Sequence, residues 1–167
     1  PLRPTRKSAL YRNEVTEAAV TAVLAAVDRY AEGNFTPVRV PGRAHGLMRQ
    51  ADRAVDWATM TSAAVMARID AADGFPGIAD KLFGVPCHLF DAWPEDDLRG
   101  EPGALIARRE TAVCRATADG AVWIGHARRA GGIKLPTTLA FPEALALPEA
   151  PLAGWWKEAR ATWQDIA

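Results

Sequence analysis

The chain has 167 residues, and its 20 Lys and Arg balance its 20 Asp and Glu to a formal charge of zero. Hydrophobic residues make up 49 % and charged residues 24 %, which excludes a wholly disordered or collagen-like chain. The neutral balance disfavours a protein that mainly coats nucleic acid or anionic membrane. No segment approaches the roughly 20 apolar residues of a membrane-spanning helix. Because the chain begins at Pro1 without Met, we expect it to be part of a longer protein.

The first predicted element is an amphipathic helix, with Ser8 as its expected N-cap. Apolar residues recur every three or four positions, the spacing of one helix face: Val20, Val23, Leu24, Val27 and Ala31. Gly33 and Asn34 end this helix, so residues 1–34 form the first predicted unit. Residues 35–46 hold two prolines and two glycines around alternating valines, which predicts an extended linker.

A second helix and a small barrel are predicted over residues 47–135. Thr61 is the expected N-cap of a helix that ends near Asp73 and Gly74. Period-two patterns and turn signals then predict five short antiparallel strands, over residues 78–83, 85–93, 104–109, 113–118 and 122–128. Such dense strands indicate an OB-like barrel with a packed helix. The fold class is therefore α+β, and residues 136–167 are expected to form a linker and a C-terminal helix carrying Trp155, Trp156 and Trp163.

The reactive side chains give no catalytic centre. Cys87 and His88 are neighbours on a predicted strand and so point to opposite faces. If Asp119 and Gly120 form a two-residue turn, Cys114 pairs with Gly125 and lies on the face opposite His126. We therefore expect two buried, reduced thiols in a cytoplasmic protein, and no thiolate–imidazole pair.

Metal and cofactor motifs are also absent from the sequence. The three histidines have no partner at ligand spacing, and the acidic run at Glu95, Asp96 and Asp97 lacks the pattern of a calcium loop. This run is interpreted as a solvated turn. There is no phosphate-binding glycine loop, so no catalytic residue, no metal and no cofactor site is assigned to this chain.

One surface could still bind a phosphate backbone. On the two-residue-turn register, Arg115, His126 and Arg128 share one hairpin face, and Arg108 and Arg109 lie close in sequence. A barrel with such a face is typical of some nucleic-acid-binding proteins. An ordinary solvated face remains the alternative, because arginine is abundant throughout the chain.

Several local motifs resemble the C-terminal barrel domain of the methionyl-tRNA formyltransferase family. They are the run 52–57 ending in Asp56-Trp57, the turn 74–77, and the segments 84–90, 103–106 and 118–124. The amino-acid sequence is more similar to one branch of this family, the HoxX/HypX-type nickel–iron hydrogenase maturation proteins. The similar segments are residues 8–18, 48–57, 72–77, 82–84 and 120–124. This resemblance covers nearly the whole chain.

The resemblance implies a multidomain parent that uses 10-formyltetrahydrofolate to supply carbon monoxide for the hydrogenase iron centre, with coenzyme A as a carrier. Residues 1–34 would hold the last helix of a formyltransferase-like domain, and 136–167 would lead to a crotonase-like domain. These flanking domains, and hydrogenase maturation proteins, are the implied partners. The catalytic Asn-x-His and Ser-Leu-Leu-Pro signatures of the folate domain are missing here, so no catalytic role carries over.

Two alternatives remain open at the level of sequence. One is a tRNA-binding C-terminal domain of a methionyl-tRNA formyltransferase, in which Arg108, Arg109, Arg115 and Arg128 would contact phosphates. The zero net charge disfavours it. The other is an independent small enzyme, which would have to build its site from the few reactive groups considered above.

Overall fold

The computed structural model describes residues 5–34, 36–37, 39 and 42–151. The predicted C-terminal helix with its three tryptophans lies outside the described residues. Within the described part, no helix is long and apolar enough to cross a membrane. The α+β class, with an N-terminal helix and an antiparallel sheet, is confirmed.

The N-terminal helix runs without interruption through three segments. An α-helical turn, α1 (Lys7–Leu10), continues into a π-helical turn over Tyr11–Val15 and then into α2 (Thr16–Ala31). The prediction that Ser8 is the N-cap is wrong, because Arg6 occupies that position. Ser8 lies inside α1, and its hydroxyl donates to Asp73 Oδ2 over 2.5 Å. A long-range partner has displaced the local capping role.

The predicted apolar face of α2 exists but is uncovered by the rest of the described chain. Val20, Val23, Leu24 and Val27 are 55–61 % exposed. No residue of α2 is buried. A helix with so much exposed apolar surface is normally stabilised by packing against another element.

Two further helices precede the sheet. The short α3 (Gln50–Arg53) is followed by α4 (Ser62–Ala72), whose N-cap is Thr61 as predicted. The Thr61 hydroxyl accepts a hydrogen bond from the Ala64 N–H over 3.2 Å. Val65, Ile69 and Ala72 of α4 are buried against the sheet, because their spacing of three and four places them on one face.

The sheet has six antiparallel strands. They are β1 (Ile78–Leu82), β2 (Val85–Glu95), β3 (Leu105–Arg109), β4 (Ala112–Ala116), β5 (Ala121–Arg129) and β6 (Leu135–Pro136). The order is β1-β2-β5-β4-β3, and β6 also pairs with β5. Five of these strands lie where the sequence predicts them. Phe83 and Gly84 connect β1 to β2 with positive φ values of 50° and 77°, the geometry of a tight hairpin turn.

The sheet curls until β4 approaches β1. In a flat sheet β4 and β1, three strand spacings apart, would be separated by about 14 Å. Yet Arg115 Nη1 on β4 lies 3.2 Å from Asp80 Oδ1 on β1 and 3.4 Å from the Lys81 carbonyl oxygen. A single side chain therefore spans the gap, and the strands enclose a small, barrel-like core.

The predicted two-residue turn between β4 and β5 is wrong. The register pairs Cys114 with Trp123 and Ala116 with Ala121, so residues 117–120 form a four-residue loop. The Thr117 N–H donates to the Gly120 carbonyl, and the Thr117 hydroxyl accepts from the Gly120 N–H. The hydrogen bond to the Thr117 hydroxyl stabilises the four-residue loop. The Asp-Gly pair, considered alone, predicts the shorter turn because it takes no account of Thr117.

The segment after β6 packs onto the barrel. Residues Thr137–Ala140 form α5, and a 3₁₀ turn follows over Pro142–Ala146. Phe141 is fully buried in the core cluster that contains Trp57, Ile69 and Ile124. The Thr137 hydroxyl donates to the Ile124 carbonyl oxygen over 2.8 Å. This segment closes one side of the barrel.

Candidate functional site

The two thiols are buried and unpaired, as predicted. Burial, and then the nearby charge of Asp80, raises the pKa of Cys87 to about 11. Burial and then Glu95 raise the pKa of Cys114 to about 12. At neutral pH both are neutral thiols, which makes them poor nucleophiles.

The histidines form no metal site. His45 is exposed in the segment before α3, while His88 lies on β2 and His126 on β5. The described ranges hold no group of three or more His, Cys, Asp or Glu side chains able to bind a metal ion.

The four arginines proposed to bind phosphates lie in separate environments. Arg108 pairs with Glu149, Arg109 with Glu95 and Arg115 with Asp80. Arg115 also lies over the Trp57 ring, 4.2 Å from its centroid. These contacts hold three of the four guanidinium groups within the fold.

An irregularity in the two longest strands separates Arg115 from Arg128. The core residues of β2 include Leu89 and Ala92, and those of β5 include Ile124 and Ala127. A step of three instead of two in each strand shows that the alternation of faces breaks, and Asp91 at the break has a φ of 61°. The prediction that Arg115, His126 and Arg128 share one face is therefore wrong.

Glu95 is a buried carboxylate with several hydrogen bonds, although the sequence predicts a solvated turn there. Its side chain is only 7 % exposed. Trp123 Nε1 donates to Oε2 over 2.6 Å, and the N–H groups of Asp97 and Leu98 donate to Oε1. Burial alone would raise the pKa of Glu95, but these hydrogen bonds and the Arg109 charge hold it below its ordinary value. Glu95 is thus a structural anchor and is ionised at neutral pH.

The lowered pKa of Glu95 predicts a pH-dependent stability. Because the folded-state pKa lies below the unfolded one, the stabilisation is present above the unfolded pKa of about 4.3 and is lost as pH falls through the folded pKa. In Glu95→Gln we expect a loss of about 1–3 kcal/mol at pH 7 and a flatter stability profile below pH 5. Urea unfolding at several pH values measures both, with exposed Asp96→Asn as the matched control. An unchanged acid slope in Glu95→Gln would contradict this role.

A polar cluster joins the N-terminal helix to the barrel. We call it the junction cluster: Arg6, Ser8, Asp70, Asp73, Asp91 and His126. Arg6 Nη2 lies 2.5 Å from Asp91 Oδ1, and His126 Nδ1 lies 2.7 Å from Asp91 Oδ2. The hydrogen bond from Ser8 to Asp73 adds a second connection, and Lys134 pairs with Asp73 over 3.5 Å.

The pKa values of two carboxyl groups in the junction cluster are shifted in opposite directions. Burial raises the pKa of Asp70, an effect that the Arg6 charge opposes. Burial would also raise the pKa of Asp73, but the hydrogen bond from the Ser8 hydroxyl and the charge of Lys134 hold this pKa below its ordinary value. The members come from four elements far apart in sequence. Ser8 and His126 stood out in the sequence, but for different roles. The cluster fixes the direction in which the N-terminal helix leaves the barrel.

Comparison with known proteins identifies the protein family of this chain. Residues 47–141 match the family model described as formyl transferase, C-terminal domain. This match spans more than half of the chain, so the chain belongs to the formyl transferase C-terminal domain family. The family resemblance noted from the sequence is confirmed.

Within this class the chain is similar to hydrogenase maturation factor HoxX from Bradyrhizobium diazoefficiens. The two are 44 % identical over 163 residues, which is 93 % of this chain and 29 % of HoxX. A methionyl-tRNA formyltransferase from Ralstonia nicotianae is 29 % identical over 121 residues, covering 68 % of this chain and 36 % of that protein. The chain thus spans about a third or less of the curated relatives it matches.

Solved structures agree with this assignment. HypX from Aquifex aeolicus in complex with tetrahydrofolic acid superimposes with a TM-score of 0.81 at 40 % identity. The match covers 91 % of this chain and 28 % of that one. A variant of the same HypX gives a TM-score of 0.80 over the same share of this chain. The predicted HoxX/HypX-type branch is confirmed.

Proposed function

We propose that this chain is the central, non-catalytic segment of a HoxX/HypX-type hydrogenase maturation protein, where it holds two catalytic domains in register. The observation that carries this proposal is the match that covers 93 % of the chain but only 29 % of HoxX. A segment that matches over nearly its whole length, yet forms less than a third of its relative, is expected to function beside other domains.

The uncovered face of α2 supports an upstream formyltransferase-like domain. On this proposal residues 1–34 form the terminal helix of that domain, 35–46 a linker and 47–135 the barrel domain. Val23 and Leu24, both about 60 % exposed, would pack against the upstream sheet. The junction cluster then transmits the position of that domain to the barrel, because Arg6 and Ser8 are bound to the barrel residues Asp91 and Asp73.

The chemistry belongs to the parent protein. We propose that it uses 10-formyltetrahydrofolate to supply carbon monoxide for nickel–iron hydrogenase assembly, with coenzyme A as carrier. The solved HypX complex with tetrahydrofolic acid supports the folate part. Residues 136–167 would lead to a crotonase-like domain, and other hydrogenase maturation proteins are the further partners. The two unpaired thiols favour a reducing compartment, and we place the protein in the cytoplasm.

The experiment that tests a non-catalytic role is a turnover assay on the purified chain. We expect neither hydrolysis of 10-formyltetrahydrofolate nor transfer of its formyl group, because both thiols are protonated and the described residues present no paired nucleophile and base. Full-length HoxX from Bradyrhizobium diazoefficiens, assayed in parallel, serves as the matched comparison. Turnover by the purified chain above the protein-free rate would overturn the proposal.

The similarity to a methionyl-tRNA formyltransferase favours one second candidate, a tRNA-binding module that uses Arg108, Arg109, Arg115 and Arg128. Such binding would weaken steeply with salt. We expect affinity for tRNA no tighter than the non-specific range of roughly 10⁻⁴ to 10⁻⁶ M at physiological salt, because three of these arginines already pair with carboxylates. Filter binding at two salt concentrations measures it. Tighter binding that is lost in Arg128→Gln would favour the tRNA candidate.

A further inference from the structure

A cavity of about 300 Å³ opens where β5 ends and the next turn begins. His88, Arg128, Arg129 and the backbone of residues 130–132 line it. His88 on β2 is directly opposite Arg128 on β5 in the sheet register. No acidic side chain is among these lining residues, but Arg129 pairs with Glu143 over 3.2 Å, so Arg128 carries the unpaired positive charge of the cavity wall.

Arg128 carries a charge that no carboxylate neutralises within the described residues. Its Nη2 donates to the Pro76 carbonyl oxygen over 3.1 Å, and its guanidinium lies 5.5 Å from the Phe75 ring centroid and 5.9 Å from that of Phe90. These contacts fix the side chain without cancelling its charge. A positioned, uncompensated guanidinium is well suited to bind an oxyanion.

The neighbouring groups also have unused hydrogen-bonding capacity. Nδ1 of His88 and Nε of Arg129 are buried without a hydrogen-bond partner. Burial, and then the Arg128 charge, lowers the pKa of His88. An anion bound between His88 and Arg128 would oppose the effect of the Arg128 charge and raise the pKa of His88, because a negative charge favours the protonated imidazole.

We propose that this cavity binds the phosphate group of a small molecule, with Arg128 as the main ligand and His88 as a second donor. A phosphate group has several strong acceptor oxygens and up to two negative charges, which matches adjacent guanidinium and imidazole donors. The volume lies at the lower end of the range for small-molecule pockets, so it accommodates a phosphate with an attached group. This site is independent of the proposed linker role.

The geometry favours a small ligand over a nucleic-acid backbone. Arg108, Arg109 and Arg115 point to other partners and are held there by carboxylates. A backbone-binding surface requires cations spread along a path, whereas of the four candidate arginines only Arg128 lacks a carboxylate partner among the described residues.

The test is an NMR titration of the histidine ring signals in the full 167-residue chain. Inorganic phosphate is the probe, against chloride at equal ionic strength. We expect the pKa of His88 to rise by about half a unit or more with millimolar phosphate. Arg128→Gln should abolish the shift, and Arg128→Lys should keep part of it. Arg108→Gln, whose carboxylate partner is exposed, is the matched control and should behave as the unmodified chain.

The two sources of phosphate are separated by comparing inorganic phosphate, ADP and adenosine. If ADP saturates the shift at a concentration at least tenfold lower than inorganic phosphate does, and adenosine gives no response, the ligand is nucleotide-like. Equal response to phosphate and ADP identifies free phosphate. The proposal is overturned if phosphate leaves the His88 pKa unchanged, or if Arg128→Gln responds as the unmodified chain does.

Discussion

Replacing Gly77 with alanine is expected to give the largest loss of stability in the barrel. Gly77 follows α4 and has a φ of 81°, a conformation that costs an L-residue about 1 kcal/mol. An added Cβ would also overlap the Phe90 ring, 2.5 Å from Cε1, and lie 3.1 Å from the Leu89 carbonyl oxygen. Because Phe90 is only 1 % exposed, it cannot move aside without disturbing the core. We expect a destabilisation of about 3 kcal/mol or more, measured by urea unfolding.

Gly33→Ala is the matched control for this substitution. Gly33 has a similar φ of 75°, but nothing lies within 4 Å of an added Cβ. The control therefore isolates the backbone cost, and we expect it to lose only about 1 kcal/mol. Equal losses in the two variants would contradict the claim that Gly77 is required for the close approach of Phe90.

Replacing Arg115 with methionine is expected to give the second-largest loss. Arg115 connects β4 to β1 through Asp80 and the Lys81 carbonyl, and it covers Trp57. Both members of the ion pair are only 14 % exposed, so methionine would leave the Asp80 carboxylate without its cation. Removing one partner of a buried pair costs about 3–5 kcal/mol. Thermal and urea unfolding should show a loss near the lower end of this range, because Trp57 Nε1 still donates to Asp80.

Arg108→Met is the control, because Arg108 pairs with Glu149, which is 62 % exposed. Exposed pairs contribute about 0–1 kcal/mol, so this variant should remain close to the unmodified chain. If Arg115→Met were as stable as Arg108→Met, the Arg115 side chain would not be what holds β4 against β1.

Local signals in the sequence were sufficient for much of the fold. The Thr61 cap, the strands around Gly84 and the buried face of α4 each depend on residues within a few positions of one another, so the pattern predicts them. The family motifs are equally local: the Asp56-Trp57 and Gly74–Gly77 segments lie at the start of the barrel, where Trp57 and Gly77 both contact its core.

Other features of the fold depend on contacts between residues that are far apart in the sequence, which local patterns do not predict. Serine is a preferred N-cap residue, but the Ser8 hydroxyl donates its hydrogen bond to Asp73, 65 positions away. Glu95 stands in an acidic run, yet Trp123 and Arg109 make it a buried anchor. The face of Arg128 could not be predicted because the alternation of β5 breaks between Ile124 and Ala127, opposite the break at Asp91 of β2. In each case a long-range contact overrides the local pattern.

The most direct test of the linker role is a domain replacement in HoxX from Bradyrhizobium diazoefficiens. The 163 aligned residues of HoxX are exchanged for this chain, and hydrogenase activity is measured in a strain that lacks its own HoxX. We predict that the chimera restores activity, and that the same chimera carrying Gly77→Ala restores much less. A chimera that accumulates to the level of unmodified HoxX but yields no active hydrogenase would contradict the account.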